Sequence, residues 1–135
     1  VGPAMGDLVG HAVLFGMPND VMAAGEGIES VLSLRCSVPH MAMAAGLSAT
    51  HLAATLFPTS LRRLYIAHDN DPAGDGARDS LIARADLAGI EAIVLSPIRG
   101  DFNEDLRTLS IGALEAAVRV QLAPEDVARF MTLTA

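Results

Sequence analysis

RRLYIAHDNDPAG, residues 62–74, is the stretch of sequence that predicts the fold of this chain. Its first part, Arg62–His68, is a short run rich in apolar and aromatic residues, which indicates a buried strand. The acidic segment 69–71 follows at once, and Pro72–Gly74 is typical of a turn. A helix is expected next, over Ala77–Leu87. A strand that ends in carboxylates and leads into a helix is a repeating unit of α/β proteins.

The same unit is predicted at other points along the chain. Short apolar runs indicate strands, and helical spacing or a capping serine indicates helices. The predicted strands are Val21–Ala24, His40–Ala45 and Ala92–Leu95, and the predicted helices are Ile28–Leu34 and Ser48–Leu56. Four alternations of strand and helix predict a Rossmann-like α/β fold, in which a central parallel four-stranded sheet carries helices on both faces.

We expect additions at both ends of this core, a β-hairpin and then a pair of helices: Ala4–Val9 with His11–Phe15, and Ile111–Leu122 with Pro124–Met131. A length of 135 residues suits one domain. Its predicted parts are a hairpin extension at 1–18, a core at 19–108 and C-terminal helices at 109–135. Because the chain does not start with Met, we also expect it to be part of a longer protein.

Composition limits the classes of function. Hydrophobic residues make up 51% and charged residues 19% of the chain. Since no uninterrupted apolar run has the length of a membrane span, we expect a cytoplasmic protein without membrane contact. Sixteen acidic and nine basic residues give a net charge of -7, which disfavours attraction to nucleic-acid phosphates. Any nucleic acid is therefore expected to be held by other parts of a longer protein.

The chain contains no lysine, because all nine basic residues are arginine. This excludes a P-loop and a Schiff-base enzyme, both of which need an amine. It also argues against a phosphatase with an aspartate nucleophile, which generally uses a lysine. Cys36 is the only cysteine, so an internal disulfide and a thiolate metal cluster are excluded as well, and its apolar surroundings predict a buried thiol.

Carboxylates follow two of the predicted strands. Glu26 stands between Gly25 and Gly27 after the first strand, and Asp69 and Asp71 follow the third. Ligands of α/β sheets bind beyond the carboxyl ends of the strands, so these acids meet if the two strands are neighbours. Two carboxylates 4 Å apart repel by about 4 kcal/mol at an effective dielectric near 20. A divalent cation relieves this repulsion, and an all-oxygen ligand set favours Mg²⁺ or Mn²⁺.

The fourth strand leads into a further acidic segment, SPIRGDFNED, residues 96–105. Two interpretations of it remain open. In the first, Asp101 orients metal-bound water or a second ion and Arg99 binds a phosphate with two hydrogen bonds. In the second, Asp101 or Asn103 caps the helix that starts nearby, and Arg99 is a solvated charge.

Three segments together resemble the Toprim domain of bacterial-type DNA primases, topoisomerases and some nucleases. They are GEGIES at 25–30, HDNDPAGDG at 68–76 and GDFNEDL at 100–106. The resemblance spans residues 21–106. It implies that Glu26 acts as a general acid or base, and that Asp69 and Asp71, together with Glu26, bind Mg²⁺ or Mn²⁺. Gly25, Gly27 and Gly74 are expected to let the backbone approach a charged ligand.

The form of the motifs favours one branch of this family. Topoisomerase-like members carry a third acid two residues after the second aspartate, where this chain has Ala73 followed by Gly74, the primase-like form. The lysine that usually precedes the last acidic tract is replaced by Gly100, and Arg99 is an imperfect substitute. Asp101, Asn103 and Asp105 are expected to form a secondary acidic site. The resemblance is strongest to primases and primase-helicases of plasmids, phages and integrated elements, in which a zinc-binding module or helicase is attached.

The resemblance implies an Mg²⁺-dependent nucleotidyltransferase that makes RNA primers during DNA replication. Its partners would be nucleoside triphosphates and a single-stranded DNA template, the latter held by additional domains. Two alternatives stay open. One is a Toprim nuclease that hydrolyses phosphodiester bonds, and the other is a catalytically silent metal-binding module in a replication assembly.

Other interpretations of the same residues are weaker. A calcium loop starting at Asp69 fails, because Ser80 stands where a bidentate glutamate belongs. Tyr65 lies in the middle of a strand, which favours packing over a role as a covalent nucleophile. His68 is expected to point away from Asp69 and to be structural. Met41 and Met43 alternate along a buried strand and are expected to fill the core.

Overall fold

The computed structural model describes residues 8–9, 12–46 and 57–131. Its strands are β1 (Leu8–Val9), β2 (Ala12–Phe15), β3 (Val21–Glu26), β4 (Ala42–Gly46), β5 (Arg63–Ala67) and β6 (Glu91–Leu95). Its helices are α1 (Ile28–Arg35), α2 (Pro72–Leu87), α3 (Phe102–Thr108), α4 (Ile111–Arg119) and α5 (Pro124–Phe130). The predicted α/β class is confirmed. The helix expected at Ser48–Leu56 lies outside the described residues, and the division of the chain into parts at residues 18 and 108 stays a prediction.

One six-stranded sheet in the order β1-β2-β4-β3-β5-β6 forms the centre of the fold. Strands β4, β3, β5 and β6 are parallel, which confirms the predicted four-stranded parallel core. Strand β1 pairs antiparallel with β2, as the predicted N-terminal hairpin requires. Strand β2 in turn pairs antiparallel with β4. The sheet is therefore wider than predicted, because the hairpin joins it as an antiparallel edge.

The largest difference from the sequence prediction is the start of α2. This helix begins at Pro72, whereas the prediction placed Pro72–Gly74 in a turn and began the helix at Ala77. The side chain of Asp71 accepts a hydrogen bond from the backbone N–H of Gly74 and so caps the helix. Proline suits the first helical position, because its fixed φ is helical and its missing N–H would have no partner there. The acidic loop is therefore shorter than its composition indicates.

Helices cover both faces of the sheet, and a separate apolar cluster lies on each face. One cluster joins Tyr65, Met41 and Met43 to residues of α1, α3, α4 and α5. The other packs α2 against residues such as Leu64 and Ile66. Met41 and Met43 are fully buried, as predicted. The prediction for Cys36 was wrong: the residue is exposed, because it follows the last turn of α1 and its thiol donates only to the carbonyl of Leu32.

A buried cluster of charged residues attaches α5 to the first residue of β5, Arg63. The guanidinium of Arg63 donates to Glu91 at 2.8 Å, to Glu125 at 2.6 Å and to Asp126 at 2.8 Å. Asp126 is only 1% exposed and also accepts the hydroxyl of Tyr65. Tyr65 thus packs in the core, as predicted, and anchors α5 as well. Among the described residues, no helix combines the length and the apolar character needed to cross a bilayer.

Replacing Asp126 by Asn should destabilise the fold strongly. The change leaves the buried Arg63 charge without its buried partner, and breaking a buried ion pair costs about 3 to 5 kcal/mol. Glu125 contacts the same guanidinium but is 62% exposed, so the matched change Glu125→Gln should cost about 1 kcal/mol or less. Urea unfolding of both variants measures the difference. Equal losses would show that burial does not determine the strength of this cluster.

Candidate metal centre

Three carboxylates meet at the carboxyl edge of the parallel sheet. Glu26 is the last residue of β3, while Asp69 and Asp71 lie in the loop that follows β5. The two strands are neighbours, with Gly25 paired to Ala67, so their ends emerge side by side. One ligand oxygen from each of the three residues lies within 4.8 Å of the others. The structure therefore brings together residues that are more than forty positions apart in sequence, at the edge where α/β proteins bind ligands.

The loop that carries the two aspartates is held by hydrogen bonds from both sides. Asn70 donates its backbone N–H to the carbonyl of Gly100 and its side-chain amide to the carbonyl of Arg99. Asp71 accepts the N–H of Gly74 at 2.6 Å through one oxygen, Oδ1, and is the most exposed acid of the three. The loop therefore presents Asp69 towards Glu26 and Asp71 towards solvent.

Two of the three glycines of the site, Gly74 and Gly25, face close protein neighbours. A Cβ on Gly74 would lie 2.3 Å from the carbonyl oxygen of Asp69, so only glycine fits where α2 starts beneath the acidic loop. A Cβ on Gly25 would lie 2.8 Å from a methyl group of Val31, which explains glycine there by helix packing. Gly27 has a φ of 77°, a left-handed conformation that favours glycine at the turn into α1. The first two glycines thus shape the site through close protein contacts.

Burial and mutual repulsion disfavour charge on these acids. Burial, with the nearby charges of Glu26, Asp101 and Asp71, raises the pKa of Asp69 to about 7. Burial and the charge of Asp71 likewise raise the pKa of Glu26. Both shifts describe the protein without a cation, which would favour the ionised forms.

Two buried oxygens of the site have no hydrogen-bond donor among the described residues. They are Oε2 of Glu26 and Oδ1 of Asp69. A buried carboxylate oxygen without a donor is costly, and native structures usually satisfy it. Unsatisfied oxygens that converge from two strands, with a third carboxylate beside them, fit a hard divalent cation such as Mg²⁺ or Mn²⁺.

The acidic segment after β6 contributes to the site mainly by its position. Asp101 caps α3 by accepting the N–H of Glu104, as the second interpretation of this segment expected, while its charge still raises the pKa of Asp69. Asp105 is fully buried, and its two oxygens accept the backbone N–H groups of Ile98 and Arg99. The expectation that Asp105 belongs to a secondary ion site is therefore wrong, because this carboxylate is committed to holding the loop.

The remaining members of the expected secondary site lie apart from the three acids. Asn103 bridges α3 and α1 through contacts of 3.4 Å with Ser33 and 3.5 Å with Glu29. The side chain of Arg99 is exposed and makes no hydrogen bond or ion pair with any described residue. Of this group, only Arg99 has a charged side chain free to meet a ligand phosphate.

Sequence reasoning missed two residues that support the acids. Ser30 is 6% exposed, and its hydroxyl donates to the carboxylate of Asp69. Its helical position four residues after Glu26 was the available signal. Asn70, between the two aspartates, ties the acidic loop to the loop after β6. His68 has a structural setting, as expected, since it is buried with its Nε2 atom 2.7 Å from Asp75.

Asp69→Asn should stabilise the metal-free protein at high pH. The raised pKa means that folding favours the protonated acid, so this group makes the fold less stable as pH rises from about 4 to about 7. The amide removes that penalty. In EDTA, the melting temperature of the variant should exceed that of the unmutated protein at pH 8, and the two should converge at pH 4. A difference in melting temperature that does not change with pH would contradict the raised pKa of Asp69.

Gly74→Ala should destroy the geometry of the acidic loop. The added Cβ must displace the backbone of Asp69. Gly76 is the matched control, because a Cβ there meets nothing within 4 Å, and Gly to Ala inside a helix stabilises by roughly 1 kcal/mol. We expect Gly74→Ala to weaken Mn²⁺ binding about tenfold or more, with Gly76→Ala unchanged, as measured by electron paramagnetic resonance. Equal affinity in both variants would contradict the structural role of Gly74.

Comparisons with known proteins agree with this geometry. The family model of the Toprim domain matches residues 21–111, which is most of the chain. No curated protein matches the sequence.

Two solved structures share the fold. The zinc-binding and RNA polymerase domains of Aquifex aeolicus primase superpose with a TM-score of 0.59 at 21% identity, covering 87% of this chain and 32% of that one. The primase fragment of the bacteriophage T7 primase-helicase protein gives 0.58 at 15% identity, covering 81% and 48%. The chain thus spans a third to a half of these structures. On the strength of the family match, it belongs to the Toprim domain family.

Proposed function

We propose that this chain is the catalytic Toprim domain of a primase-like nucleotidyltransferase, which joins nucleotides into RNA primers during DNA replication. The convergence of Glu26, Asp69 and Asp71 is the observation that carries the proposal. The three carboxylates would hold Mg²⁺ or Mn²⁺, and Ser30 would orient Asp69 as a ligand. A bound divalent cation would supply positive charge that stabilises the negative charge developing during phosphoryl transfer.

Glu26 is the proposed proton acceptor. It is one of the two acids that present a buried oxygen without a hydrogen-bond donor, and it ends β3 at the edge of the sheet where α/β proteins bind ligands. We assign it to accept the proton of the 3′-hydroxyl that attacks the nucleoside triphosphate, with pyrophosphate as the leaving group. General acid-base catalysis typically contributes about 10² to 10⁴ in rate. Arg99, exposed beside the loop that holds Asn70, would bind a phosphate of the incoming nucleoside triphosphate.

Two features favour a primase over other members of the family. The residue two positions after Asp71 is Ala73, the primase-like form, and α2 begins between them. Both superposed structures are primases by name. Since the chain has a net charge of -7, we propose that a single-stranded DNA template is held by further domains, such as a zinc-binding module or helicase.

One observation favours a different assignment. The chain has no lysine, and Gly100 occupies the position where related proteins place one before the last acidic tract. A metal-binding module without catalytic activity, serving a replication assembly, is therefore the second candidate. A Toprim nuclease would use the same acids with water as the nucleophile, so activity on the two substrate classes separates it from a primase.

The test is a primer-synthesis assay on the complete gene product that carries these residues, with nucleoside triphosphates, single-stranded DNA and Mn²⁺ or Mg²⁺. We expect Glu26→Gln to lower dinucleotide formation by about 10² or more. Glu29→Gln is the matched control, because Glu29 lies in the first turn of α1, three residues after Glu26, but is exposed and outside the acid cluster. The activity of this variant should be unchanged.

The other outcomes identify the alternatives. DNA cleavage without triphosphates that Glu26→Gln abolishes would establish the nuclease. Mn²⁺ binding that Asp69→Asn weakens, with neither activity present, would establish the silent module. Failure of the unmutated protein to bind Mn²⁺ at millimolar concentration would reject every version of the proposal.

A further inference from the structure

Strand β6 lies at an edge of the sheet, and its outer side has free backbone groups. Its register with β5 turns Glu91, Ile93 and Leu95 inward, as the bonds from the Glu91 N–H to Arg62 and from the His68 N–H to Leu95 show. In a parallel strand, alternate residues direct both backbone groups to the opposite side. Ala92 and Val94 therefore point their N–H and C=O groups outward, and no described residue pairs with them.

Ser96 is the next residue whose backbone groups face outward, and a side chain takes the place of a neighbouring strand there. The side-chain amide of Gln121 accepts the N–H of Ser96 at 2.8 Å and donates to its carbonyl at 3.0 Å. This is the pair of hydrogen bonds that a neighbouring strand would form. Gln121 thus ends the exposed edge, which leaves a short open ladder at Ala92 and Val94.

A cavity of about 430 Å³ lies beside this ladder, between β6 and α2. Its apolar wall includes Ile82, Ala83 and Ala92. Its acidic residues are Asp79, Asp86 and Glu91. Side chains of a strand alternate between its faces, so every second residue of a strand added to β6 would reach this cavity. An apolar wall with an acidic rim suits the aliphatic stem and charged end of lysine or arginine.

The charge around the cavity is negative even after internal ion pairs are counted. Arg78 pairs with Asp79 of the cavity at 3.1 Å. Arg63 supplies one positive charge to three carboxylates, of which Glu91 is 58% exposed. Asp86 is exposed and makes no ion pair with a described residue. A second copy of this acidic chain would be repelled here, whereas a basic segment would be attracted.

We propose that the outer edge of β6 binds an extended, basic segment of a partner protein, which adds one strand to the sheet beside Ala92 and Val94. Main-chain hydrogen bonds would supply affinity, and the acidic cavity would select lysine or arginine at alternate positions. This surface is separate from the carboxylate cluster and does not depend on the proposed catalytic activity.

The probes are two soluble peptides of eight residues, one alternating lysine with valine and one alternating glutamate with valine. Binding to the 135-residue chain is followed by fluorescence anisotropy and by backbone amide shifts in NMR. We expect the lysine peptide to bind about tenfold or more tightly than the glutamate peptide, with the largest shifts at Ala92 and Val94. Equal affinities, or shifts confined to other residues, would overturn the proposal.

Val94→Pro tests the backbone ladder, because proline lacks the outward N–H and is tolerated on edge strands. We expect it to weaken lysine-peptide binding about tenfold while Mn²⁺ binding stays unchanged, which reports an intact fold.

Asp86→Lys tests the charge without touching the sheet and should also weaken binding several-fold, whereas Glu115→Lys, on α4 and outside the cavity, should weaken it less. Unchanged binding in Asp86→Lys would overturn the proposal even if Val94→Pro fails to fold. Self-association that the peptide does not displace would assign the edge to a second copy and would overturn it too.

Discussion

The site depends on the pairing of β3 with β5, which holds three mutually repelling carboxylates close together. Strands β3 and β5 are parallel neighbours, and their pairing ends with Gly25 opposite Ala67. Glu26 and Asp69 must therefore emerge beside each other, whatever their charges. The cost appears as the pKa of Asp69, which burial and neighbouring charges raise to about 7, and as two buried oxygens without donors. Hydrophobic packing on both sheet faces holds the acids in this position, so the free energy of folding maintains a site that a cation would complete under the proposed function.

The sequence was sufficient to predict this edge because the relevant signals are local. Short apolar strands that end in acids, in alternation with helices, predict a parallel sheet and the edge where ligands bind. The long-range step comes from topology. Strand β5, which precedes Asp69, pairs with β3, which ends in Glu26, as the hypothesis of a shared metal required. The motifs also identified the family, which the match to residues 21–111 confirmed.

What the sequence did not predict depends on individual hydrogen bonds and on the position of a residue at the end of a helix. Asp105 has the same charge as the three acids of the candidate metal centre, and nothing in its spacing distinguishes a candidate ligand from a residue that binds two backbone N–H groups. The start of α2 was placed late because proline and glycine are typical of turns, while the cap from Asp71 to Gly74 makes them the first turn of a helix. Cys36 was placed in the core by its apolar neighbours, although its position at the end of α1 exposes it. In each case the prediction relied on the average preference of a residue type, whereas a particular hydrogen bond or position in the fold decides the outcome.

The loop after β6 places a charge near the three acids of the candidate metal centre without belonging to them. Gln121 holds it at Ser96, Asp105 holds it at Ile98 and Arg99, and Asn70 bonds to its far end. These hydrogen bonds hold the loop in place at the edge of the sheet, where β6 has no described strand beside it on its outer side. They also fix where α3 begins, and hence where Asp101 places its charge. Because that charge acts on Asp69 through space, the segment raises the affinity of Asp69 for a proton through its position.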